Sequence, residues 1–342
     1  MKAAAFTRHG GPEVLELIEL PEPRCGPDEV RLAVRACGLN HLDLWIRQGT
    51  LGLEIELPHV GGCDVVGEAL EVGAAVTSVK TGDRVLAHAV ISCGRCDACA
   101  SGADHQCRHY DLIGRRRNGG FAEQCVIPAR NALPCPSNLS WEEAATLPVV
   151  LVTAWHMLNG RARLRAGEDC LVIGASSGVG SAAVQVAKLL GARVIATAGS
   201  AAKLERARAL GADDLIDHSR TDIAAEVRRL TAKKGVEVVF EHVGGKVFES
   251  CVASLARNGR LVTCGATIGS QVKLDINVLF GRHLSLLGSW MGSRGELAEV
   301  LEFVSSGRLK PVLDSVLPLS QLRAAHERLE SGAHFGKLVL VP

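Results

Sequence analysis

From Glu29 to Ala36 the chain reads EVRLAVRA, apolar and polar positions alternating as they do along a strand with one buried face. DVVGEALEVG and DRVLAHAV follow as short apolar runs, with glycine and aspartate at the breaks. Residues 1 to about 130 therefore predict an irregular all-β barrel. From about residue 168 the period changes. CLVIG is an apolar strand and SAAVQVAKLLGA a helix stopped by Gly191; RVIATAG is a strand and AKLERARALGA a helix stopped by Gly211. DLIDH, the helix IAAEVRRLTAKKG, the strand VEVVFEHVG, the helix KVFESCVASLARNG and the strands RLVTCGA and LSLLGSW complete the series. Six strands with intervening helices predict an α/β protein with a doubly wound parallel sheet. WEEAATLPVVLVTAWHML predicts helix around Pro148, bridging the halves. The tail, GELAEVLEFVSSGRL then FGKLVLVP, predicts a helix and a strand that return to the first half. One domain is thus expected at 1–131, completed by 291–342, and the other at 132–290.

Composition narrows the function classes. A chain of 342 residues suits two domains. With 38 basic and 37 acidic residues and no charged stripe, it offers no electrostatic footprint for nucleic acid or a membrane surface. The opening MKAAAFTRHGG lacks a signal-peptide core, because Arg8 and His9 interrupt it. LPVVLVTAWHML is too short to span a bilayer. A soluble, cytoplasmic protein acting on a small molecule is expected, and its 12 cysteines then read as metal ligands where clustered and buried hydrophobes where scattered.

GASSGVG, residues 174–180, lies between a strand and a helix inside a complete βαβ unit. Its glycines allow a tight turn and close backbone approach to a pyrophosphate resting on the helix N-terminus. Gly174, Ser176, Ser177, Gly178, Val179 and Gly180 are the expected cradle. An NAD site places Asp or Glu at the end of the second strand. Here that strand runs into ATAGSAAK, and the first acid, Glu205, is already inside the helix. Ser200 can donate to a 2′-phosphate and Lys203 supplies charge, which favours NADPH over NADH. The plainer alternative leaves Lys203 as a solvated helix residue.

CGRCDACASGADHQC places Cys93, Cys96, Cys99 and Cys107 at x2, x2, x7 spacing. Four such thiolates close a tetrahedron around one structural Zn²⁺ and leave no open position; an iron–sulfur cluster is the alternative.

With these features together, the chain resembles the medium-chain dehydrogenase/reductase superfamily. The resemblance runs end to end and includes GGPEVLEL, GGCDVVGEALEVGAAVTSVKTGDRV, GARVIATAGSAAKLERARALGAD and FGKLVLVP. It implies a GroES-like catalytic domain, a Rossmann cofactor domain, an active site in the cleft, and a homodimer or homotetramer made through the cofactor domains. It further implies that His41, Thr153, His242, Val243, Gly265, Ala266 and Lys337 lie along the cofactor.

Zinc alcohol dehydrogenases of this superfamily hold a catalytic zinc with Cys, His and usually Cys, and relay a proton through Ser or Thr. At the matching positions this chain has Asn40, Cys63 and, near the third, Val149, with Leu42 at the relay. An amide and a valine do not hold Zn²⁺ as thiolates do. A site rebuilt from Cys37, His41, Cys63 and Asp64 stays open as an alternative. The stretch instead resembles the quinone oxidoreductase and enone reductase branch, in which Asn-x-x-Asp-x-x-x-Arg-x-Gly is common; here it is Asn40, Asp43, Arg47, Gly49. Asn40, Asp43 and Cys63 are the candidate catalytic residues, Asn40 to orient substrate or carboxamide and Asp43 to fix local geometry. For Asp43 a turn-capping carboxylate is the equal alternative. The branch departs from this chain in that many members lack the cysteine lobe. The expected function is NADPH-dependent reduction of quinones or α,β-unsaturated carbonyls without a catalytic metal. A zinc-type alcohol dehydrogenase or carbonyl reductase, and a non-catalytic NADPH-binding protein, are the alternatives.

Overall fold

The computed structural model describes residues 1–342, and they divide into two compact units, Met1–Val149 with Ser293–Pro342 and Val150–Gly292. The expected boundary at 131/132 is corrected. Residues 132–149 stay with the first unit because the strand Ala132–Pro134 pairs with Arg84–Ala87 and the turn of helix Trp141–Ala144 packs on Glu29–Gly38.

The first unit is built on a seven-stranded sheet. Its path runs Leu313–Pro318, Lys337–Val341, Glu29–Gly38, Asp64–Val72, Arg84–Ala87, Ala132–Pro134, and Gln124–Pro128 also pairs with Glu29–Gly38. Alternation decides the faces: Val30, Leu32, Val34 and Ala36 are buried, while Arg31 turns outward to pair with Glu22 and Glu71. The C-terminal strand does return here, antiparallel, with Val339 opposite Gly38. Gly38 permits that approach, since a Cβ there would lie 2.3 Å from the Ala145 carbonyl and 3.1 Å from Lys337 Cε.

The second unit is the expected parallel sheet. Its six strands run in the order Asp214–Asp217, Arg193–Ala198, Asp169–Val172, Val236–Glu241, Leu255–Thr263, Ser285–Gly288. Leu171, Ile173, Ile195, Ile216, Val239 and Leu261 pack with Phe248 and Val227 from the helices, a fully buried core that explains the near-continuous apolar strands. One helix ends earlier than its pattern suggests: it covers Gly245–Ser254, and Leu255–Asn258 belong to the following strand. Pairing with Val236 and complete burial of Leu255 outweigh the helical period there.

Candidate active site

The strand order of the second unit reverses beside Asp169–Val172, whose neighbours are Arg193–Ala198 and Val236–Glu241. In a doubly wound sheet that switch opens a crevice at the strands' C-terminal ends. GASSGVG lies there. Gly174 takes φ +61°, a left-handed conformation that favours glycine. Ser177 caps the helix Gly178–Leu189, its Oγ accepting the Gly180 N–H at 2.9 Å. Gly180 must be glycine because a Cβ would stand 2.2 Å from the Gly174 carbonyl. Ser176, Ser177, Gly178 and Val179 are half-buried at the first turn, where N–H groups without helical partners suit a pyrophosphate.

His242, Val243, Gly265 and Ala266 gather beside this turn. His242 Nε2 lies 3.0 Å from the Ile173 carbonyl and 3.2 Å from Ser177 Oγ, and burial holds the imidazole's pKa down, in the neutral form. The organising residue, Glu241, was not singled out from the sequence. Its Oε1 accepts the N–H groups of Val243 and Gly244, both at 2.5 Å, and its Oε2 accepts the Thr263 hydroxyl at 2.6 Å. A fully buried carboxylate thus braces the loops after two neighbouring strands. An acid ending the apolar run VEVVFE was the available signal. Thr153 is buried in the helix Pro148–Trp155, its hydroxyl 3.8 Å from Met291 Sδ.

At the end of Arg193–Ala198, Ser200 caps the next helix, accepting the Lys203 N–H at 3.4 Å. Glu205 pairs with Arg208 at 3.6 Å, and Asp217 is held by the Ser219 hydroxyl at 2.6 Å. His218 stands beside Gly199, where a Cβ would meet its Nε2 at 3.1 Å. Burial lowers its pKa, and the nearby charge of Lys203 lowers it further.

In the first unit, Asn40 caps the helix His41–Gln48 in a capping box with Asp43, and its amide also makes longer-range contacts. Asn40 Oδ1 accepts from Lys337 Nζ at 2.7 Å, and Nδ2 donates to Asp64 Oδ2 at 2.9 Å and reaches Cys63 Sγ at 3.4 Å. Lys337 Nζ pairs with Asp64 Oδ2 at 2.8 Å and donates to the Leu39 carbonyl at 2.6 Å. Asp64 Oδ1 accepts the Val149 N–H at 2.7 Å. The three positions matched to zinc ligands thus surround one buried carboxylate. Lys337, expected along the cofactor, spends its ammonium within this unit. Asp43 acts as a cap: its oxygens accept the Asn40 N–H at 2.8 Å and the Gly62 N–H at 2.9 Å. Burial raises its pKa to about 6 against those two hydrogen bonds. Cys63 is buried and burial pushes its thiol well up, as it does for Cys37, which lies against Gly62 and Gly120. His41 opens the helix near Trp45, and Leu42 packs on Phe6, Val14 and Ile46.

The cysteine lobe passes a direct geometric test. Four sulfurs about 2.3 Å from one Zn²⁺ in a tetrahedron stand about 3.8 Å apart. Here Cys96–Cys99, Cys96–Cys107 and Cys93–Cys99 are 3.6, 3.8 and 4.0 Å apart, and all four sulfurs lie within 4.8 Å of one another. Backbone N–H groups, led by that of Cys99, hold the Cys96 thiol down to about 6, and the Cys93 and His109 N–H groups point at Cys107 Sγ. Such donors stabilise the thiolates a zinc ion needs, although at Cys107 burial outweighs them and raises the thiol to about 11.

Residues 26–137 match the alcohol dehydrogenase GroES-like domain and residues 178–306 the zinc-binding dehydrogenase family. An alcohol dehydrogenase of Geobacillus stearothermophilus is 33% identical over 99% of both chains. A quinone oxidoreductase-like protein 2 of Bos taurus is 32% identical over 99% of this chain and 92% of its own. The crystal structure of an NAD-dependent alcohol dehydrogenase superposes with a TM-score of 0.97 at 46% identity, covering both chains completely. The GroES-like fold with a four-thiol lobe, the parallel sheet with its glycine turn, and these matches place the chain in the medium-chain dehydrogenase/reductase family of oxidoreductases, beside zinc-type alcohol dehydrogenases and quinone oxidoreductases.

Proposed function

We propose that the protein is a cytoplasmic, NADPH-dependent reductase of quinones or α,β-unsaturated carbonyls that works without a catalytic metal. The observation that carries this reading is the donor set around Asp64. Where zinc-dependent relatives present a thiolate, this chain presents the Asn40 amide, and the Asp64 carboxylate is neutralised by an ammonium at 2.8 Å. Without a Lewis acid an alkoxide is hard to form, so a simple alcohol is a poor substrate. A conjugated carbonyl is already electron-poor, and the negative charge reaching its oxygen needs only hydrogen-bond donors. A nicotinamide dinucleotide on the second unit supplies the hydride. One Asn40 amide hydrogen is committed to Asp64; the other has two weak acceptors, the Cys63 sulfur at 3.4 Å and the Gly38 carbonyl at 3.5 Å, and is open to competition from a substrate oxygen. Solvent supplies the proton. The cysteine lobe would hold one zinc and stiffen its loop.

The preference for NADPH rests on the strand end that carries Ser200 and Lys203 with its nearby acids turned to Arg208 and Ser219. Assembly is proposed as a homodimer or homotetramer through the second unit. Ser285–Gly288 is an edge strand there, and Ile276 and Phe280 in the helix that precedes it are 59% and 64% exposed.

A second reading, alcohol dehydrogenase or carbonyl reductase, is supported by those relatives that are named alcohol dehydrogenases. The deciding experiment follows NADPH oxidation with paired quinones and enones and NADP⁺ reduction with alcohols, with zinc counted in the same preparation. Turnover of quinones or enones at about one zinc per chain supports the proposal. Alcohol oxidation at about two supports the second reading. Cofactor binding with no turnover on any of them points to a non-catalytic protein.

A further inference from the structure

The ammonium of Lys337 is saturated. It has three hydrogens, and three oxygens receive them: the Leu39 carbonyl at 2.6 Å, Asn40 Oδ1 at 2.7 Å and Asp64 Oδ2 at 2.8 Å. The side chain is 4% exposed, and Asp64 is fully buried. Nothing is left over for a phosphate or a reacting substrate.

The same contacts decide which way the Asn40 amide faces. Its oxygen meets a cation and its nitrogen meets an anion. Rotating the amide by half a turn would set its NH2 against the ammonium and its oxygen against the carboxylate, and both contacts would become repulsive. The Val149 N–H fixes the other oxygen of Asp64, so the carboxylate cannot turn to follow. Two glycines admit the lysine: Gly38 leaves room for Cε, and Gly336, at φ +89°, turns the chain into the last strand.

We infer that Lys337 is a positioning residue, an internal cation that holds the Asn40 amide in the one orientation that offers its N–H toward Cys63, and that it is not a ligand of the cofactor. The inference rests on the proposed function only in placing Asn40 beside the substrate. It holds for any substrate class the enzyme turns over.

Truncation to Lys337→Ala removes three carbons and the ammonium, the volume of n-propylammonium. The experiment measures the dissociation constants of NADPH and NADH, and turnover with whichever substrate of the panel the wild type uses, for wild type and K337A. It is repeated with n-propylammonium and with n-propanol. Cofactor affinity is expected to stay within about threefold while kcat falls about 100-fold, the cost of a misplaced reacting group. n-Propylammonium should restore at least about tenfold of the kcat and raise the melting temperature of K337A, and n-propanol should do neither. Loss of cofactor affinity with kcat retained overturns the inference, as does a kcat that ignores the amine. If K337A fails to fold, K337M/D64N removes both charges at once and leaves no buried ion unpaired. That variant should bind NADPH and show the low kcat; wild-type turnover in it overturns the inference. Should the substrate proposal fail and an alcohol be the substrate, the amine rescue is read with that alcohol. If no substrate is turned over, rescue of the melting temperature by the amine and not the alcohol decides.

Discussion

Arg47 Nη2 donates to Glu330 Oε1 at 2.5 Å, tying a helix near the start of the chain to the last one, 283 residues away. Arg47 is 1% exposed and also donates to the Gly10 carbonyl at 3.1 Å and to His326 Nδ1 at 3.0 Å. The arginine of the Asn-x-x-Asp-x-x-x-Arg-x-Gly pattern is therefore a structural tie. Glu330→Gln leaves the guanidinium buried without its counter-charge. Because the carboxylate is 30% exposed, the cost is discounted to about 2 kcal/mol of stability. Urea unfolding should show a lower midpoint with unchanged slope, and equal midpoints would count against the tie.

Asp43 makes stability depend on pH. Burial raises its carboxyl from 3.8 in the unfolded chain to about 6 in the fold, so the native state binds its proton more tightly. Its contribution is most favourable below pH 4 and is lost as pH rises through about 6, on the order of 3 kcal/mol in all. Asp43→Asn has no such titration. Wild type should lose stability relative to D43N between about pH 4 and 6 and run parallel to it above 7. A difference that grows in favour of wild type over that window would contradict the burial argument.

Cys96→Ser removes one corner of the sulfur tetrahedron. The purified variant should carry well under the roughly one zinc per chain expected of wild type. Limited proteolysis should then cut within 93–107. Undiminished zinc would mean that other ligands hold it.

Lys203→Ala tests the cofactor preference. The affinity for NADPH should fall about tenfold, and that for NADH should stay within about twofold. Equal losses for both would remove the basis for choosing NADPH.

Phe280→Glu tests the assembly proposal. A charge on that exposed apolar face should shift the sedimentation coefficient from dimer or tetramer toward monomer. An unchanged coefficient would move the interface elsewhere.

Much of this architecture could be read from the chain because it is written in local periods. The alternation of Val30, Leu32 and Val34 marks the central strand, and the apolar runs ending in GASSGVG mark the parallel sheet. The four-thiol lobe is legible for the same reason, since its ligands lie within 15 residues. What escaped was set by long-range pairing. Residues 132–149 join the first unit through strand pairing with Arg84–Ala87, which their own pattern does not encode. Lys337 meets Leu39 across 298 positions, so no spacing rule connects them. Glu241 is the local exception: its Oε1 takes the backbone N–H groups of its own turn, a contact that leaves no periodic mark in the chain.

The strand Lys337–Val341 lies between Leu313–Pro318 and Glu29–Gly38, so the sheet of the first unit is closed by residues synthesised after the whole of Val150–Gly292. On a ribosome the continuous stretch Val150–Gly292 is complete well before then. The order of completion is therefore inverted: residues 1–149 wait with an open sheet edge, exposed to chaperones and to mispairing, while the unit that follows them can already be folded.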